Sequence, residues 1–183
     1  MLAKKIALGF IFLIFSNCLD RCSAREIALE KRVFGENHYL RPNFLEPFEC
    51  TNILIKDVKI INAPFWIIHP IKCTNVIVDG VTIKSHGPNN DGCDPEYSKN
   101  VWIKNTIFDT GDDCIAIKSG RDNDGRRVAI KSENIIVQDC KMYDGHGGVT
   151  IGSEISAGVR NVYVENCLMD SPELDRAIRI KSN

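Results

Sequence analysis

Asn52-Ile-Leu-Ile55, Asn75-Val-Ile-Val78, Asn100-Val-Trp-Ile103, Asn134-Ile-Ile-Val137 and Asn161-Val-Tyr-Val164 open five segments built to one plan. Apolar residues follow each asparagine at +1 and +3, and a polar residue or glycine stands at +5: Asp57, Gly80, Asn105, Asp139 and Asn166. Another apolar residue stands at +8: Ile60, Ile83, Phe108, Met142 and Met169. Alternation of period two, broken by a bend and resumed, describes two short strands per unit. The units recur at spacings of 23, 25, 34 and 27 residues, the mark of a stacked repeat. An asparagine at the same bend of every unit suits stacking, because its amide can bond to its own copy one coil away.

Each unit also carries a third short apolar segment. These are Trp66-Ile-Ile-His69, Asp91-Gly-Cys-Asp94, Cys114-Ile-Ala-Ile-Lys118, Gly148-Val-Thr-Ile-Gly152 and Ala177-Ile-Arg-Ile-Lys181. Three strands per turn, stacked turn on turn, make an all-β, right-handed parallel β-helix, a single-stranded solenoid with three short strands per coil. A leucine-rich horseshoe would need a Leu-x-x-Leu-x-Leu pattern that is absent, and no unit sustains a helical period. Residues 25–44 precede the first complete unit, and Arg25 to Phe34 is expected to form an amphipathic helix over the open end of the stack. Without a Pro/Gly/Ser linker, residues 25–183 read as one domain. It ends at Lys181-Ser182-Asn183 in or just after a strand, which reads as an incomplete C-terminus.

The first 24 residues pair Lys4 and Lys5 with the apolar run Ile6 to Phe15 and end in Cys22-Ser23-Ala24. They read as a signal peptide for a secreted or periplasmic protein, since ten apolar residues fall short of the roughly 20 that span a bilayer. Cleavage before Cys18 would instead leave a lipid-anchored protein, although Asn17 fits such a signal poorly. Removing residues 1–24 takes away Lys4, Lys5 and Arg21 against Asp20, leaving 20 basic and 23 acidic residues and a net charge of −3. Nucleic-acid binding by bulk charge is thereby excluded, and an anionic ligand needs locally placed cations. Cys50, Cys73, Cys93, Cys114, Cys140 and Cys167 all fall inside the repeat with no zinc-type spacing. They are expected to act mostly as small buried groups, with disulfides open between adjacent coils.

Superposing the third segments places Asp91-Gly-Cys93 on Asp112-Asp-Cys114 and on His146-Gly-Gly148. Ile115 and Ile117 then share an inward row with Val149, Ile151, Ile178 and Ile180, while Arg179 and Lys181 point outward. With coils about 4.8 Å apart, Asp91, Asp112 and His146 form a ladder at the mouth of one face, with Arg179 and Lys181 on the next rung. Taken singly, these residues are a turn aspartate, a loop histidine and a solvated face. Together, three carboxylates in close company cannot all ionise freely, so one proton is held, as an acid catalyst requires.

His86-Gly-Pro-Asn-Asn-Asp91-Gly, Gly111-Asp-Asp-Cys-Ile-Ala-Ile-Lys-Ser-Gly120, Gly145-His-Gly147 and Arg179-Ile-Lys181 resemble, in order, the four signatures of the polygalacturonase family of glycoside hydrolases. The resemblance covers about residues 41–183. It departs at Asn90, where the family usually has threonine, and in length, since family members continue for several coils and carry a further substrate-binding tyrosine there. It implies hydrolysis of the α-1,4-galacturonosidic bonds of pectin with inversion. Asp112 would be the proton donor, Asp91 and Asp113 would activate water, His146 would support the acid, and Arg179 and Lys181 would hold the galacturonate carboxylate. It implies no metal or organic cofactor, a galacturonan ligand and a monomer. Coil spacing alone brings Asp91 and Asp112 nearer the roughly 5 Å of a retaining pair than the 6.5–9.5 Å of an inverting one. The charged segment Gly120 to Ser132, source of the 34-residue spacing, resembles exo-acting bacterial members. The competing readings are an inactive β-helix fragment or carbohydrate-binding protein and, further off, a calcium-dependent pectate lyase.

Overall fold

The computed structural model describes residues 33–34, 38–39 and 41–182; residues 1–24, expected to be a signal peptide, lie outside them. Two short strands, β1 (Val33–Phe34) and β2 (His38–Tyr39), pair antiparallel through Val33 with Tyr39 and Phe34 with His38. Val33 and Phe34 are therefore strand, which corrects the expected helix at its C-terminal end. The rest of that helix, residues 25–32, falls outside the described residues.

The coils follow: β3 (Thr51–Lys56), β4 (Lys59–Ile61), β5 (Thr74–Asp79), β6 (Thr82–Ser85), β7 (Lys99–Lys104), β8 (Ile107–Thr110) and β9 (Ile115–Ile117). After α1 (Asp122–Val128) come β10 (Ser132–Gln138), β11 (Lys141–Asp144), β12 (Val149–Ile151), β13 (Val159–Glu165) and β14 (Ile178–Ile180). They form three parallel sheets, ordered β3-β5-β7-β10-β13, β4-β6-β8-β11 and β9-β12-β14. The third sheet is continued toward the N-terminus by single bridges joining Leu45, Ile68, Cys93 and Ile115. The chain is thus a parallel β-helix, whose first coils carry the third strand only as bridges.

The asparagine ladder sets the coil. Asn52, Asn75, Asn100, Asn134 and Asn161 all have left-handed backbones, with φ between 55° and 60°, a conformation that asparagine tolerates better than other residues with a Cβ. From Asn75 onward each amide nitrogen donates to the side-chain oxygen of the asparagine one coil earlier, at 2.9 to 3.0 Å. The +5 residues Asp57, Gly80, Asn105, Asp139 and Asn166 are left-handed as well, so the two bends of every coil are fixed by residue type. Between them the inward row, including Ile53, Val76, Val101, Ile135, Phe108 and Met142, is at most 2% exposed. At about 25 cal/mol per Å² of apolar area removed from water, this continuous core is the main stabilising contribution.

The 34-residue coil leaves and returns through α1, which the sequence showed only as a charged loop. Asp122 and Asp124 in its first turn and Arg126 and Arg127 in its last each oppose the nearer end of the helix dipole. Ala129, left-handed, closes it by donating its N–H to the Gly125 carbonyl. No helix among the described residues is long and apolar enough to cross a membrane. Cys93 and Cys114 are buried, and burial pushes both thiols upward, that of Cys114 to about 12. Cys50 is disulfide-bonded, whereas Cys93, Cys114, Cys140 and Cys167 keep free thiols.

Candidate active site

The third sheet and the bends that enter it bring the six residues singled out from sequence to one face. In detail the register differs from the superposition of like residues. Cys93 lies opposite Ile115, the Gly92 N–H donates to Asp113 O and the Cys93 N–H to Cys114 O. Asp91 therefore faces Asp113, one residue on from the expected Asp112, because the two bends differ in length: seven residues separate Ser85 from Cys93 and four separate their partners Thr110 and Ile115. From there on the expected pairing holds: the His146 N–H donates to Asp112 O, and Val149 pairs with Ile115 and Ile178.

One carboxylate oxygen from each of Asp91, Asp112 and Asp113 lies within 4.8 Å of the others. That spacing fits a cation, and the chain supplies its own. Lys181 Nζ lies 2.7 Å from Asp113 Oδ2 and Arg179 Nη1 3.7 Å from Asp113 Oδ1, so Asp113, 1% exposed, is held by two cations. Asp112 stands nearer solvent. Its Oδ1 accepts the Asp113 N–H at 2.9 Å and lies 3.1 Å from His146 Nδ1. Asp91 is 4% exposed, and its Oδ1 has no protein partner. Its carboxyl is raised to about 7, chiefly by burial, with Asp112 and Asp113 adding to the rise and Lys118 and Lys181 opposing it. Of the three crowded carboxylates, Asp91 is thus the one whose carboxyl is held toward its protonated form.

Two loops deliver these groups. Asn90, 3% exposed, donates to Ala63 O and Phe65 O at 3.2 Å and accepts from Ser85 Oγ at 2.9 Å. The amide reaches back a whole coil to fix the residue before Asp91, which accounts structurally for asparagine here. His86 bridges Asp109, at 2.6 Å, and Asp144, at 3.3 Å, on the two following coils. Gly147 is required by close approach, since a Cβ there would lie 2.9 Å from Asp113 Oδ1.

Sequence reasoning missed a second group on the same face. Asp94 is fully buried and neither of its carboxylate oxygens has a protein partner. Burial, then Asp91, hold its carboxyl well above the usual range. Lys118, its side chain 5% exposed, lies 3.1 Å from Glu154 and 4.5 Å above the Trp66 ring. Strand parity was the available signal, because with Cys93 and Ile117 inward, Asp94 and Lys118 must point out.

Residues 32–183 match the family described as glycosyl hydrolases family 28. The chain belongs to glycosyl hydrolase family 28. Within that family it is 50% identical to a hyperthermoactive exopolygalacturonase from Thermotoga maritima, with a TM-score of 0.78 over 87% of this chain and 36% of that one. It is 30% identical over 151 residues to a probable polygalacturonase of Vitis vinifera, covering 81% of this chain and 30% of the relative. To an endo-polygalacturonase of Pectobacterium carotovorum subsp. carotovorum it is 33% identical over 144 residues, 78% of this chain and 33% of the relative. The chain thus spans about a third of the length of these family 28 relatives.

Proposed function

We propose that this family 28 chain carries the catalytic coils of a polygalacturonate hydrolase. One observation supports this above the rest: carboxylates from two successive coils, Asp91 with Asp112 and Asp113, meet Arg179 and Lys181 from a later one. Acid–base groups and cations for a uronate stand side by side. Asp112, at the mouth and supported by His146, protonates the leaving glycosidic oxygen. Asp91, whose ionised form is a stronger base than an ordinary carboxylate because its pKa is raised to about 7, takes a proton from the attacking water with Asp113 beside it. Arg179 and Lys181 receive the galacturonate carboxylate.

The close oxygens of Asp91 and Asp112 resemble the spacing of a retaining pair,. Inversion is favoured nonetheless, because neither candidate nucleophile is open to the sugar: Asp113 is enclosed by two cations and Asp91 is buried. Export through residues 1–24, a pectic ligand in the cell wall and a monomeric state complete the proposal. Likeness to the Thermotoga exopolygalacturonase supports release from chain ends.

Sizing the products of the full-length protein on polygalacturonate tests this. Galacturonate alone at early times is expected, whereas a ladder of oligomers identifies endo action. Chelation is expected to leave the rate unchanged; loss of activity restored by calcium, with unsaturated products, identifies a lyase and overturns the proposal.

A further inference from the structure

We propose that Lys118 is a positioning residue of this site, its ammonium fixing the charge and orientation of Asp91 from the side opposite Lys181. This rests on the hydrolytic reading above. Lys118 ends the strand that begins beside Asp113, and its backbone pairs with Glu96 on the coil before. Its side chain does not run out to solvent. It extends toward the N-terminus until Nζ stands 4.5 Å over the ring of Trp66, two coils back. The Ile67 N–H donates to Asp91 O, so Trp66 is the rung neighbour of Asp91 on the side away from Asp113. Glu154, from the loop after β12, holds the same ammonium at 3.1 Å. A group held between Trp66 on one side and Glu154 on the other lies across the coil that bears Asp91 and Asp94.

Charge gives the placement its purpose. Asp91 interacts electrostatically with Asp94 on its own coil and with Asp112 and Asp113 on the next, with Lys181 and Arg179 beyond, both paired with Asp113. Toward the N-terminus, His69 is engaged by Glu46 and Glu96. Among the described residues Lys118 is thus the cation that serves the Asp91–Asp94 side. Although burial lowers it, Asp94, Asp91 and Glu154 hold its ammonium above the usual lysine range, so it stays charged while the carboxylates titrate. The buried Oδ1 of Asp91 and both oxygens of Asp94 have no protein partner, and when both groups ionise they would repel each other without that charge. Lys118 touches no reacting atom in this arrangement and acts through Asp91.

The test compares Lys118→Met and Lys118→Arg in the full-length protein, read by carboxyl ¹³C titration of Asp91 and by the pH profile of kcat/KM. Loss of the cation destabilises ionised Asp91, so in Lys118→Met the Asp91 midpoint and the acidic limb of the profile should rise together by about one to two pH units. At neutral pH kcat should fall on the order of tenfold to a hundredfold as the base becomes protonated, with KM nearly unchanged. Lys118→Arg should return both midpoints toward the parent. An Asp91 midpoint unmoved by Lys118→Met, or an arginine variant that titrates like the methionine one, overturns the proposal. Should the methionine variant not fold, Lys118→Gln, whose amide keeps a donor toward Glu154, carries the same reading. The titration needs no turnover, so a parent protein inactive on polygalacturonate refutes the hydrolytic reading and still leaves the role of Lys118 decided by the Asp91 midpoint.

Discussion

Lys181 Nζ lies 2.7 Å from the Oδ2 of Asp113, a carboxylate 68 residues earlier in sequence whose side chain is 1% exposed. The cation proposed to read the substrate's carboxylate is therefore already bound to one of the protein's own, and its removal has two effects. Lys181→Met leaves Asp113 buried with only Arg179, at 3.7 Å. Chemical unfolding should show a loss of about 2–3 kcal/mol, below the 3–5 of a buried pair broken outright. Adding Asp113→Asn should restore part of that loss, measurable as a double-mutant coupling. Binding to polygalacturonate should weaken at least tenfold, and to methyl-esterified pectin much less. Equal weakening on both ligands means that Lys181 does not read charge.

Asp112→Asn removes the proposed proton donor without changing volume. Hydrolysis by the full-length protein should fall by at least about 10², with an unchanged circular dichroism spectrum. Asp112 Oδ1 still accepts the Asp113 N–H in such a variant, so the bend should hold. Activity within a few-fold of the parent assigns the acid elsewhere.

Asp91→Asn should be inactive and more stable than the parent, by an amount that depends on pH. Burial raises the folded-state pKa of Asp91 from 3.8 to about 7, so between those values the folded chain binds more protons than the unfolded one. Stability contributed by the protonated form is full below the lower value and is lost as pH rises through the higher. The melting temperature of the variant should exceed that of the parent little at pH 4 and most above pH 7, by about 2–4 °C for each kcal/mol recovered. A gap that does not change with pH contradicts the assignment.

Asn100 accepts from Asn134 and donates to Asn75 with φ at 55°. Asn100→Ala loses both bonds and leaves a Cβ in the left-handed region, at a cost of about 1–2 kcal/mol for the backbone alone. Asn100→Gly keeps the backbone free and loses only the amide bonds. Urea midpoints should rank parent, glycine, alanine; alanine equal to glycine means that the conformation carries no cost here.

The sequence disclosed the fold because its bends are chemically marked. Each asparagine at φ near 60° also announces its partner one coil away, so both local and long-range structure were written in one repeated letter. The site was legible as a set of residues, and its register was not. The match of Cys93 to Cys114 drew Asp91 onto Asp112, whereas backbone hydrogen bonds set Cys93 against Ile115. Identical letters in neighbouring coils do not guarantee identical rungs when the bends before them differ in length. Lys118 escaped notice for another reason: its reach across two coils to Trp66 depends on side-chain length and on Glu154, neither of which strand parity reports.

The stacked asparagines also govern where this chain can absorb extra residues. Each amide locks its coil to the one before, so the positions of Asp91, Asp113 and Lys181 follow from counting residues between successive bends. Length is absorbed between these rungs: β11 carries one extra residue between Met142 and Asp144, which pair with Phe108 and Asp109, and β12 still pairs with β9 in step. The segment after Gly120 is a larger excursion of the same kind, since α1 leaves and rejoins the stack while β10 still pairs with β7 in step. New specificity can be grafted at such an exit without disturbing the chemistry, and an engineer or a lineage seeking to change what the groove admits has free space there.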